Sequence, residues 1–343
     1  MVLVTGATGI LGRVILLELL NRGYQVRAAK RPSSDLDEVR ESFSYYTDSP
    51  DEYLDKIEWI DADFDDIHSL EAAVTGVSSV YHCAGKVSFY PTDEKEIYST
   101  NVTGTANLLY ACENSSVQDF CFISSVAVLD GLNETGLMDE DSDFNPKLNH
   151  SHYAISKHLS EMEVWRASAE GLNTVILNPG IILGSGNWNA SSGELFKTIE
   201  KYPYAMPGST SYVDVRDVAE ISVRLMEENI FGERFIVSSE NRTYADIARR
   251  IRRRLGKPKP KVLSGTILDA GYFLQLIFGG LFPALRIMNR TNLQTVRSRS
   301  HVCNKKITEQ LNWDFIPVNE SLEFHLSNYI SHKKNYNITD EYR

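Results

Sequence analysis

The sequence is poor in cysteine and has no excess of positive charge, and both absences narrow the classes of protein to consider. Its cysteines, Cys83, Cys112, Cys121 and Cys303, lack the paired spacing of a zinc site or a disulfide framework. We therefore expect no metal site, and reduced thiols as in the cytoplasm. The formal charge is −11, whereas a general nucleic-acid binder is usually basic, so we expect no nucleic-acid partner.

Internal repeats and low-complexity tracts are also absent, and no charged and apolar leader precedes the first glycines. We expect no signal peptide. A chain of 343 residues that is 42% hydrophobic is long enough for a sizeable core in one large domain or two smaller ones.

A glycine-rich stretch near the start, "VLVTGATGILGRVILLELL", is the first informative feature. Val2–Thr5 predicts a buried strand and Ile10–Leu20 an apolar helix, with Gly6, Gly9 and Gly12 at the junction. A glycine turn between strand and helix lets backbone amides approach a pyrophosphate at the positive end of the helix. We predict a dinucleotide site, the plainer alternative being a tight turn.

Short apolar strands alternate with helices up to about residue 180. Strands are predicted at 2–5, 24–29, 56–64, 78–85, 119–125 and 173–180, and helices at 10–20, 66–74, 93–113 and 152–170, with a polar loop containing a helical piece at 32–52. This alternation predicts an α/β fold with a Rossmann-type, doubly wound parallel sheet. Beyond residue 180 the alternation weakens.

The segment "YAISK" supplies a candidate acid–base pair. Tyr153 and Lys157 share one helix face at spacing i and i+4. A lysine ammonium near a phenol lowers the phenol pKa, which makes it a usable acid or base nearer neutrality. Tyr329 and Lys333 repeat the spacing, but only Tyr153 opens the helix after the fifth strand. We predict that the second pair lies on a solvated helix face.

These motifs, in this order, resemble the extended branch of the short-chain dehydrogenase/reductase superfamily, the NAD-dependent epimerase/dehydratase superfamily. "VRAAKRPSSD" and "FISSVAVLDG" most resemble its dihydroflavonol 4-reductase-like and 3β-hydroxysteroid dehydrogenase-like group. The resemblance implies a cofactor domain with the catalytic residues at 1–180. It implies a smaller C-terminal substrate-binding lobe, mostly 181–343, interleaved with returns to the first domain. Members of this kind are monomers or homodimers.

The end of the second strand bears on the choice of cofactor. An NAD enzyme usually carries an acid there, whereas this chain has Lys30 and Arg31, which would hold a 2′-phosphate. We predict NADP(H), with NAD(H) as the alternative. Asp63 is either an adenine contact or a strand-end cap. The resemblance implies cofactor contacts at Gly6, Thr8, Gly9, Ile10, Leu11, Gly12, Lys30, Arg31, Asp63, Phe64, Cys83, Ala84, Gly85, Tyr153, Lys157, Asn178, Pro179 and Gly180.

The resemblance also implies the chemistry, which is reduction of a ketone or aldehyde, or oxidation of the alcohol, by hydride transfer. Tyr153 would donate the proton, Ser125 would hydrogen-bond the carbonyl oxygen, Lys157 would tune the tyrosine, and Asn101 would support a proton relay. Ser124 stays open as an alternative to Ser125. The rival interpretations are a nucleotide-sugar epimerase with tightly bound NAD and a non-enzymatic NADP-binding regulator. Substrate contacts are expected at Ser88, Phe89, Val126 and Ile181.

The segment Gly265–Leu285 is strongly apolar and approaches the length of a membrane span. The basic stretch "RRIRRRLGKPKPK" precedes it, with Ile247, Ile251 and Leu255 on one face. We interpret the apolar segment as a lid over a small, rather apolar substrate. A weak membrane-surface contact is the alternative. We expect Asp214 and Asp217 to be helix caps or salt-bridge partners.

Overall fold

The computed structural model describes residues 1–188 and 193–341. Its strands are β1 (Val2–Thr5), β2 (Val26–Lys30), β3 (Ile57–Asp61), β4 (Ser79–His82), β5 (Asp119–Ile123), β6 (Asn173–Pro179), β7 (Ile181–Leu183), β8 (Tyr204–Ala205), β9 (Ser209–Asp214), β10 (Glu233–Val237), β11 (Glu240–Thr243) and β12 (Lys261–Val262).

The helices follow the strands in alternation through the first half of the chain. They are α1 (Ile10–Asn21), α2 (Leu36–Phe43), α3 (Pro50–Leu54), α4 (Ile67–Val74), α5 (Glu94–Tyr98), α6 (Gly104–Glu113), α7 (His152–Ala169), α8 (Glu194–Lys201), α9 (Val215–Glu227), α10 (Tyr244–Arg254), α11 (Gly265–Phe278), α12 (Arg290–Arg297), α13 (Lys305–Leu311) and α14 (Val318–Glu341).

Seven strands form one parallel sheet in the order β10-β6-β5-β4-β1-β2-β3. The predicted Rossmann-type doubly wound sheet is therefore confirmed. The strand order reverses between β1 and β4, and ligands of such sheets bind outside the carboxyl ends of the strands at this reversal. The glycine turn after β1 lies at that point.

Helices cover both faces of the sheet, so the strands are apolar on both sides. Successive residues of β1 point to opposite faces of the sheet. Two such residues, Leu3 and Val4, are both fully buried. Val4 packs in the core with Ile15 of α1 and Val218 of α9. Leu3 packs on the other side, where α4, α6 and α7 supply apolar residues such as Leu70.

The second half of the chain contributes to two regions. β10 joins the edge of the main sheet, and α9 packs along α1. A separate lobe contains the sheets β11-β9-β7 and β12-β8. Its core includes Trp188, Phe196, Ile251 and Leu326. The assignment of 1–180 to the cofactor and 181–343 mostly to the substrate stays a prediction.

The helix predicted at 93–113 is interrupted. A π-helical segment, Ser99–Thr103, separates α5 from α6. Within it the Asn101 carbonyl accepts hydrogen bonds from the hydroxyls of Thr105 (2.5 Å) and Ser160 (2.7 Å). The polar region 32–52 also differs, because it contains two short helices, α2 and α3. π-helical segments of this kind occur mostly where function needs a local rearrangement.

The second tyrosine–lysine pair is not on a solvated face, so that prediction is wrong. Tyr329 is buried in the lobe core and its hydroxyl donates to Glu200 (2.8 Å), which also binds the Lys333 ammonium (2.6 Å). Asp214 is a cap and ion-pair partner as expected. It caps α9 through the Arg216 amide (2.9 Å) and pairs with the Arg216 guanidinium (2.8 Å).

The basic helix α10 buries its apolar face, whereas the apolar helix α11 does not. α10 turns Ile247 and Ile251 into the lobe core, so its apolar face is covered. α11 leaves most of its apolar side chains exposed. In the part of the chain that the structure describes, no helix combines the length and the apolarity that crossing a bilayer requires.

Candidate active site

The glycine turn lies directly against the end of β4. Gly6 has φ +64°, and a Cβ there would lie 2.6 Å from the Ala84 nitrogen. A Cβ on Gly12 would lie 2.3 Å from the Gly6 carbonyl oxygen. Neither position tolerates a side chain, so the turn stays narrow and its amides stay accessible at the start of α1. This arrangement suits an anionic pyrophosphate.

Of the two cations at the end of β2, only Arg31 is left unpaired. The β2–β3 register sets Lys30 opposite Asp61, and their side chains form an ion pair at 2.5 Å. The Arg31 side chain is exposed and makes no hydrogen bond or ion pair with any residue that the structure describes. The predicted cationic pair is therefore a single available guanidinium beside a neutralised lysine.

Asp63 and Phe64 lie next along this edge. The Asp63 carboxylate accepts from the Asp65 amide (3.0 Å), which is the turn-capping role named as the alternative. The Phe64 ring contacts His82 with ring centres 5.7 Å apart. Its backbone carbonyl accepts from the Asn107 side chain (2.8 Å). This hydrogen bond connects the segment that follows β3 to α6.

Tyr153 and Ser125 are brought together across the carboxyl ends of β5 and β6. A hydrogen bond with Ser125 lowers the pKa of the Tyr153 phenol, but burial outweighs this and the net shift is upward. Ser125 itself accepts from the Ala127 amide (3.2 Å), whereas Ser124 is buried. The catalytic role of Ser125, with Ser124 as the alternative, stays a prediction.

Lys157 is buried one helical turn below Tyr153. Its ammonium donates to the Ile123 carbonyl (2.7 Å) and lies 4.8 Å from the centre of the Phe122 ring. Burial lowers the pKa of Lys157 to about 8. We expected the ammonium to lower the tyrosine pKa. In the structure the ammonium is directed at the backbone of β5, and its effect on the tyrosine pKa stays a prediction.

Asn101 lies at the π-helical segment and closes the site from the side of α6. Its side chain accepts from the Lys86 amide (2.7 Å) and donates to the Lys86 carbonyl (3.0 Å) and the Ser156 hydroxyl (2.9 Å). Gly85, the residue before Lys86, lies beside the Lys157 ammonium, which a Cβ there would approach to 3.2 Å. Asn101 therefore holds the 85–86 backbone against the lysine.

A buried carboxylate, Glu161, was not predicted from the sequence. Asn178 donates from one amide nitrogen to Glu161 (2.7 Å) and to the Ser125 carbonyl (3.1 Å). Burial raises the pKa of the Glu161 carboxyl. Glu161 follows Lys157 by four residues, so Tyr153, Lys157 and Glu161 form one helical stripe that the sequence already contained.

The remaining residues of the predicted cofactor site lie in two places, at the end of β6 and around the glycine turn. Pro179 is buried, and Gly180 follows it against Ser211. Arg13 is a second unpredicted residue, a buried arginine that donates to the Thr8 carbonyl (2.8 Å) and pairs with Glu38 (3.3 Å). The predicted residues at the turn, the end of β4 and the start of α1 are Thr8, Gly9, Ile10, Leu11, Cys83, Ala84 and Gly85.

A cavity of about 370 Å³ has His152, the residue before Tyr153, in its wall, whereas Tyr153 is not among the described residues that line it. Its wall includes Ser88 and Phe89, two of the four predicted substrate residues. The Phe89 and Tyr153 rings are 6.5 Å apart, centre to centre. Val126 and Ile181 are half-buried outside this wall. Residues that the sequence analysis did not assign complete it, chiefly His150, His152, Tyr272, Gln275, Leu276 and Asn292.

Comparisons with known proteins give matches over most of the chain. The sequence model of the NAD dependent epimerase/dehydratase family matches residues 2–237. Sterol demethylase protein B of Methylococcus capsulatus is 30% identical over 268 residues, 76% of each chain. Dihydroflavonol 4-reductase of Arabidopsis thaliana is 26% identical over 266 residues, 73% of this chain and 68% of its own.

Solved structures resemble the chain over nearly its full length. The crystal structure of gox2253 has a TM-score of 0.80 and 25% identity, and the match covers 97% of this chain and 98% of that one. UDP-glucose 4-epimerase of Thermotoga maritima, solved with UDP-glucose, has a TM-score of 0.74 and 19% identity. This match covers 96% of this chain and 99% of that one. At that identity the second likeness concerns the fold alone.

Proposed function

Within the NAD dependent epimerase/dehydratase family, to which this chain belongs, we propose that the protein is an NADP(H)-dependent reductase of a small, largely apolar ketone or aldehyde. It would oxidise the corresponding alcohol in reverse. The observation that carries the proposal is the placement of Tyr153 one helical turn before the buried Lys157, whose ammonium donates to the Ile123 carbonyl (2.7 Å), two residues before Ser125. A relative that is by name a reductase, dihydroflavonol 4-reductase, supports reduction as the direction of the reaction.

The residues around the glycine turn fit a dinucleotide. Gly6 and Gly12 keep the turn narrow, so the amides at the start of α1 can bind a pyrophosphate without an intervening side chain. Arg31 would hold the 2′-phosphate that distinguishes NADP(H). The bound cofactor would supply the hydride.

The side chains near the end of β5 would then supply the proton to the substrate oxygen. Ser125 accepts from the Ala127 amide, so its own proton is free to be donated to the substrate oxygen. Tyr153 donates its phenolic proton to that oxygen as the carbonyl is reduced. Lys157, with a pKa of about 8, favours the resulting phenolate and returns a proton to it. Asn101, which holds the backbone beside the lysine, supports the route to solvent.

The substrate class follows from the cavity beside Tyr153. Phe89, Tyr272 and Leu276 supply apolar and aromatic wall, and polar side chains such as His150, Gln275 and Asn292 can hydrogen-bond the substrate. Val126 and Ile181 stay in the proposal as contacts for a substrate that extends beyond the cavity. A volume of about 370 Å³ suits a small organic molecule.

The epimerase alternative rests on the family, which includes nucleotide-sugar epimerases. An epimerase would purify with bound NAD and would need no added cofactor. A regulator without catalysis would bind NADP(H) and turn nothing over. The Ser125–Tyr153 pair beside Lys157 favours an enzyme over a regulator.

The test is calorimetric titration of the purified protein with NADPH and with NADH. Arg31→Glu is compared with wild type, and Arg253→Glu, an exposed arginine on α10, is the matched control. We expect wild type and the control to prefer NADPH and Arg31→Glu to lose that preference. Copurified NAD, or a preference for NADH that Arg31→Glu leaves unchanged, would contradict the proposal and direct the search to nucleotide sugars.

A further inference from the structure

The helix α11 and the residues after it expose an unusual amount of apolar side chain. Ile267, Leu274, Ile277 and Leu281 lie at helical spacing and form one stripe. Ile277 is 69% exposed and Leu281 76%. Together with Phe273 and Phe282, also exposed, they form what we call the α11 face. A contiguous apolar surface of this kind usually marks an interaction site.

The charge around the α11 face is opposite in sign to that of the whole protein. Residues 249–299 contain twelve lysines and arginines and one carboxylate, Asp269, a balance of +11. The whole chain carries −11. Arg252 is buried, and three further arginines of α10 pair with Asp246 or Glu323 outside the segment. The other eight cations still give the segment a positive balance within an acidic protein, and such segregation favours an anionic partner.

The cations lie beside α11 in space as well as in sequence. Arg297 donates to the Gly265 carbonyl (2.9 Å) and to Asp269 (2.6 Å) in the first turns of the helix. Arg286 donates to the Gly279 carbonyl (2.8 Å) at its end. Arg290 shares the cavity wall with residues of α11. Lys261, exposed in β12, precedes the helix cap, Ser264.

An exposed tyrosine lies on the strand pair that contains β12, which directly precedes α11 in the chain. In the β8–β12 pair Tyr204 lies opposite Lys261, and both are exposed. Val262, next to Lys261, is exposed as well. An apolar helix bordered by tyrosine and by lysine and arginine is typical of proteins that lie on a membrane surface, where rings sit at headgroup level and cations meet anionic lipids.

A second copy of the chain is a poorer occupant. A two-fold interface sets the same surface against itself, so the basic segment of one copy would face that of the other. An anionic bilayer meets both the apolar stripe and its cationic border. The inner side of α11 contributes Tyr272, Gln275 and Leu276 to the cavity wall, so a docked helix would bring that wall to the lipid.

We propose that the α11 face is a docking surface for anionic membranes, with the apolar stripe inserted among the acyl chains and the surrounding cations on lipid headgroups. This goes beyond the proposed reductase function and does not depend on it.

The test is cosedimentation with sucrose-loaded vesicles of phosphatidylcholine alone, or of phosphatidylcholine with 30% phosphatidylglycerol. We expect wild type to bind the anionic vesicles at least tenfold more tightly than the zwitterionic ones, and less at high salt. The triple variant Leu274→Ser, Ile277→Ser, Leu281→Ser should lose at least tenfold in binding. Leu132→Ser, a 68% exposed leucine elsewhere, is the matched control and should bind like wild type.

A charge variant and a fluorescence measurement separate the two contributions. Lys259→Glu with Lys261→Glu should also weaken binding at least tenfold, whereas Lys56→Glu, before β3, should not. Ile277→Trp should shift its emission to the blue on anionic vesicles, and Leu132→Trp should not. Unchanged thermal unfolding and NADPH titration would show that the variants fold.

Three outcomes would overturn the proposal. Wild type could stay unbound with both kinds of vesicle. The serine triple variant could bind as well as wild type, which would reduce the contact to adsorption of cations. Size-exclusion chromatography could reveal a dimer that the serine variant dissociates, which would assign the α11 face to a second copy. None of these readouts uses enzyme activity, so failure of the reductase proposal would be seen separately.

Discussion

The amide nitrogen of Asn178 lies 2.7 Å from the Glu161 carboxylate and 3.1 Å from the Ser125 carbonyl. It thereby ties the serine at the end of β5 to the helix that carries Tyr153 and Lys157. The Asn178 and Glu161 side chains are buried and Ser125 is half-buried, and an unmade hydrogen bond of a buried group is costly. The position of the Ser125 hydroxyl thus depends on a carboxylate that contacts neither the serine side chain nor the cavity.

Replacing Glu161 should change the pH dependence of reduction more than the cofactor affinity. The Glu161 charge raises the Lys157 pKa, although burial keeps it at about 8. Glu161→Gln removes that charge and keeps an acceptor for Asn178, so the Lys157 pKa falls. The basic limb of the kcat profile should move to lower pH. Steady-state kinetics from pH 5 to 10 measure this.

Glu163→Gln, an exposed carboxylate on the same helix, is the control and should leave the profile in place. Glu161→Ala also removes the acceptor, so kcat should fall further and glutamine should rescue part of the loss. An unchanged profile in Glu161→Gln would refute the positioning role.

Ser125 and Ser124 should differ sharply in their effect on turnover. Ser125→Ala removes the hydrogen bond to Tyr153 and the donor to the substrate oxygen, and we expect a fall in kcat of about 100-fold, typical of losing one such donor. Ser124 is buried, so Ser124→Ala should change kcat less than about threefold if the donor argument holds. NADPH-dependent reduction of a panel of ketones and aldehydes provides the measurement.

Calorimetric titration should give the same NADPH affinity for both serine variants, since neither side chain belongs to the glycine turn. The reverse order of the two effects would assign the substrate oxygen to Ser124.

An alanine at Gly6 should cost both stability and cofactor binding. Gly6 has positive φ, and its Cβ would meet the Ala84 backbone at 2.6 Å. We expect Gly6→Ala to lower the free energy of unfolding by about 3 kcal/mol, from backbone strain together with overpacking. Urea unfolding measures the loss, and NADPH titration should reveal weaker binding.

Gly76→Ala separates strain from contact. Gly76 also has positive φ (+72°), but nothing lies within 4 Å of its Cβ position. It should cost only about 1 kcal/mol and leave NADPH binding intact. Equal losses at the two positions would mean that the turn does not need its close approach to β4.

Acidification should destabilise the protein through His82. Burial lowers the pKa of His82 to about 3, against 6.5 in the unfolded chain. Below pH 6.5 the unfolded state therefore binds a proton at His82 that the folded state does not bind until the pH approaches 3. Stability is retained above pH 6.5 and lost as the pH falls towards 3, by about 2 kcal/mol at pH 5. Urea unfolding at a series of pH values measures the slope.

His82→Asn should flatten that slope, whatever it does to stability at pH 7. Part of the slope should remain, because burial also lowers the pKa of His325. His68→Asn should leave the slope unchanged, because His68 is largely exposed. A slope that survives intact in His82→Asn would rule out this origin.

The sequence by itself determined the parallel sheet, the glycine turn and the membership of the family. Each depends on local patterns: apolar strands at regular intervals, a glycine run between strand and helix, and a tyrosine four residues before a lysine. Such patterns can be recognised in short stretches of consecutive residues, because they indicate which side chains are buried or share a face.

Only the tertiary structure decided which partners these residues meet. Lys30 is neutralised by Asp61 because the β2–β3 register sets them opposite, 31 positions apart in sequence. Asn178 meets the Ser125 carbonyl and Glu161 because β6 pairs with β5 in the sheet. Tyr329 is buried because α14 packs on the lobe, although its spacing to Lys333 equals that of the Tyr153 pair. Periodicity specifies a face, whereas the neighbour on that face depends on register and packing between distant segments.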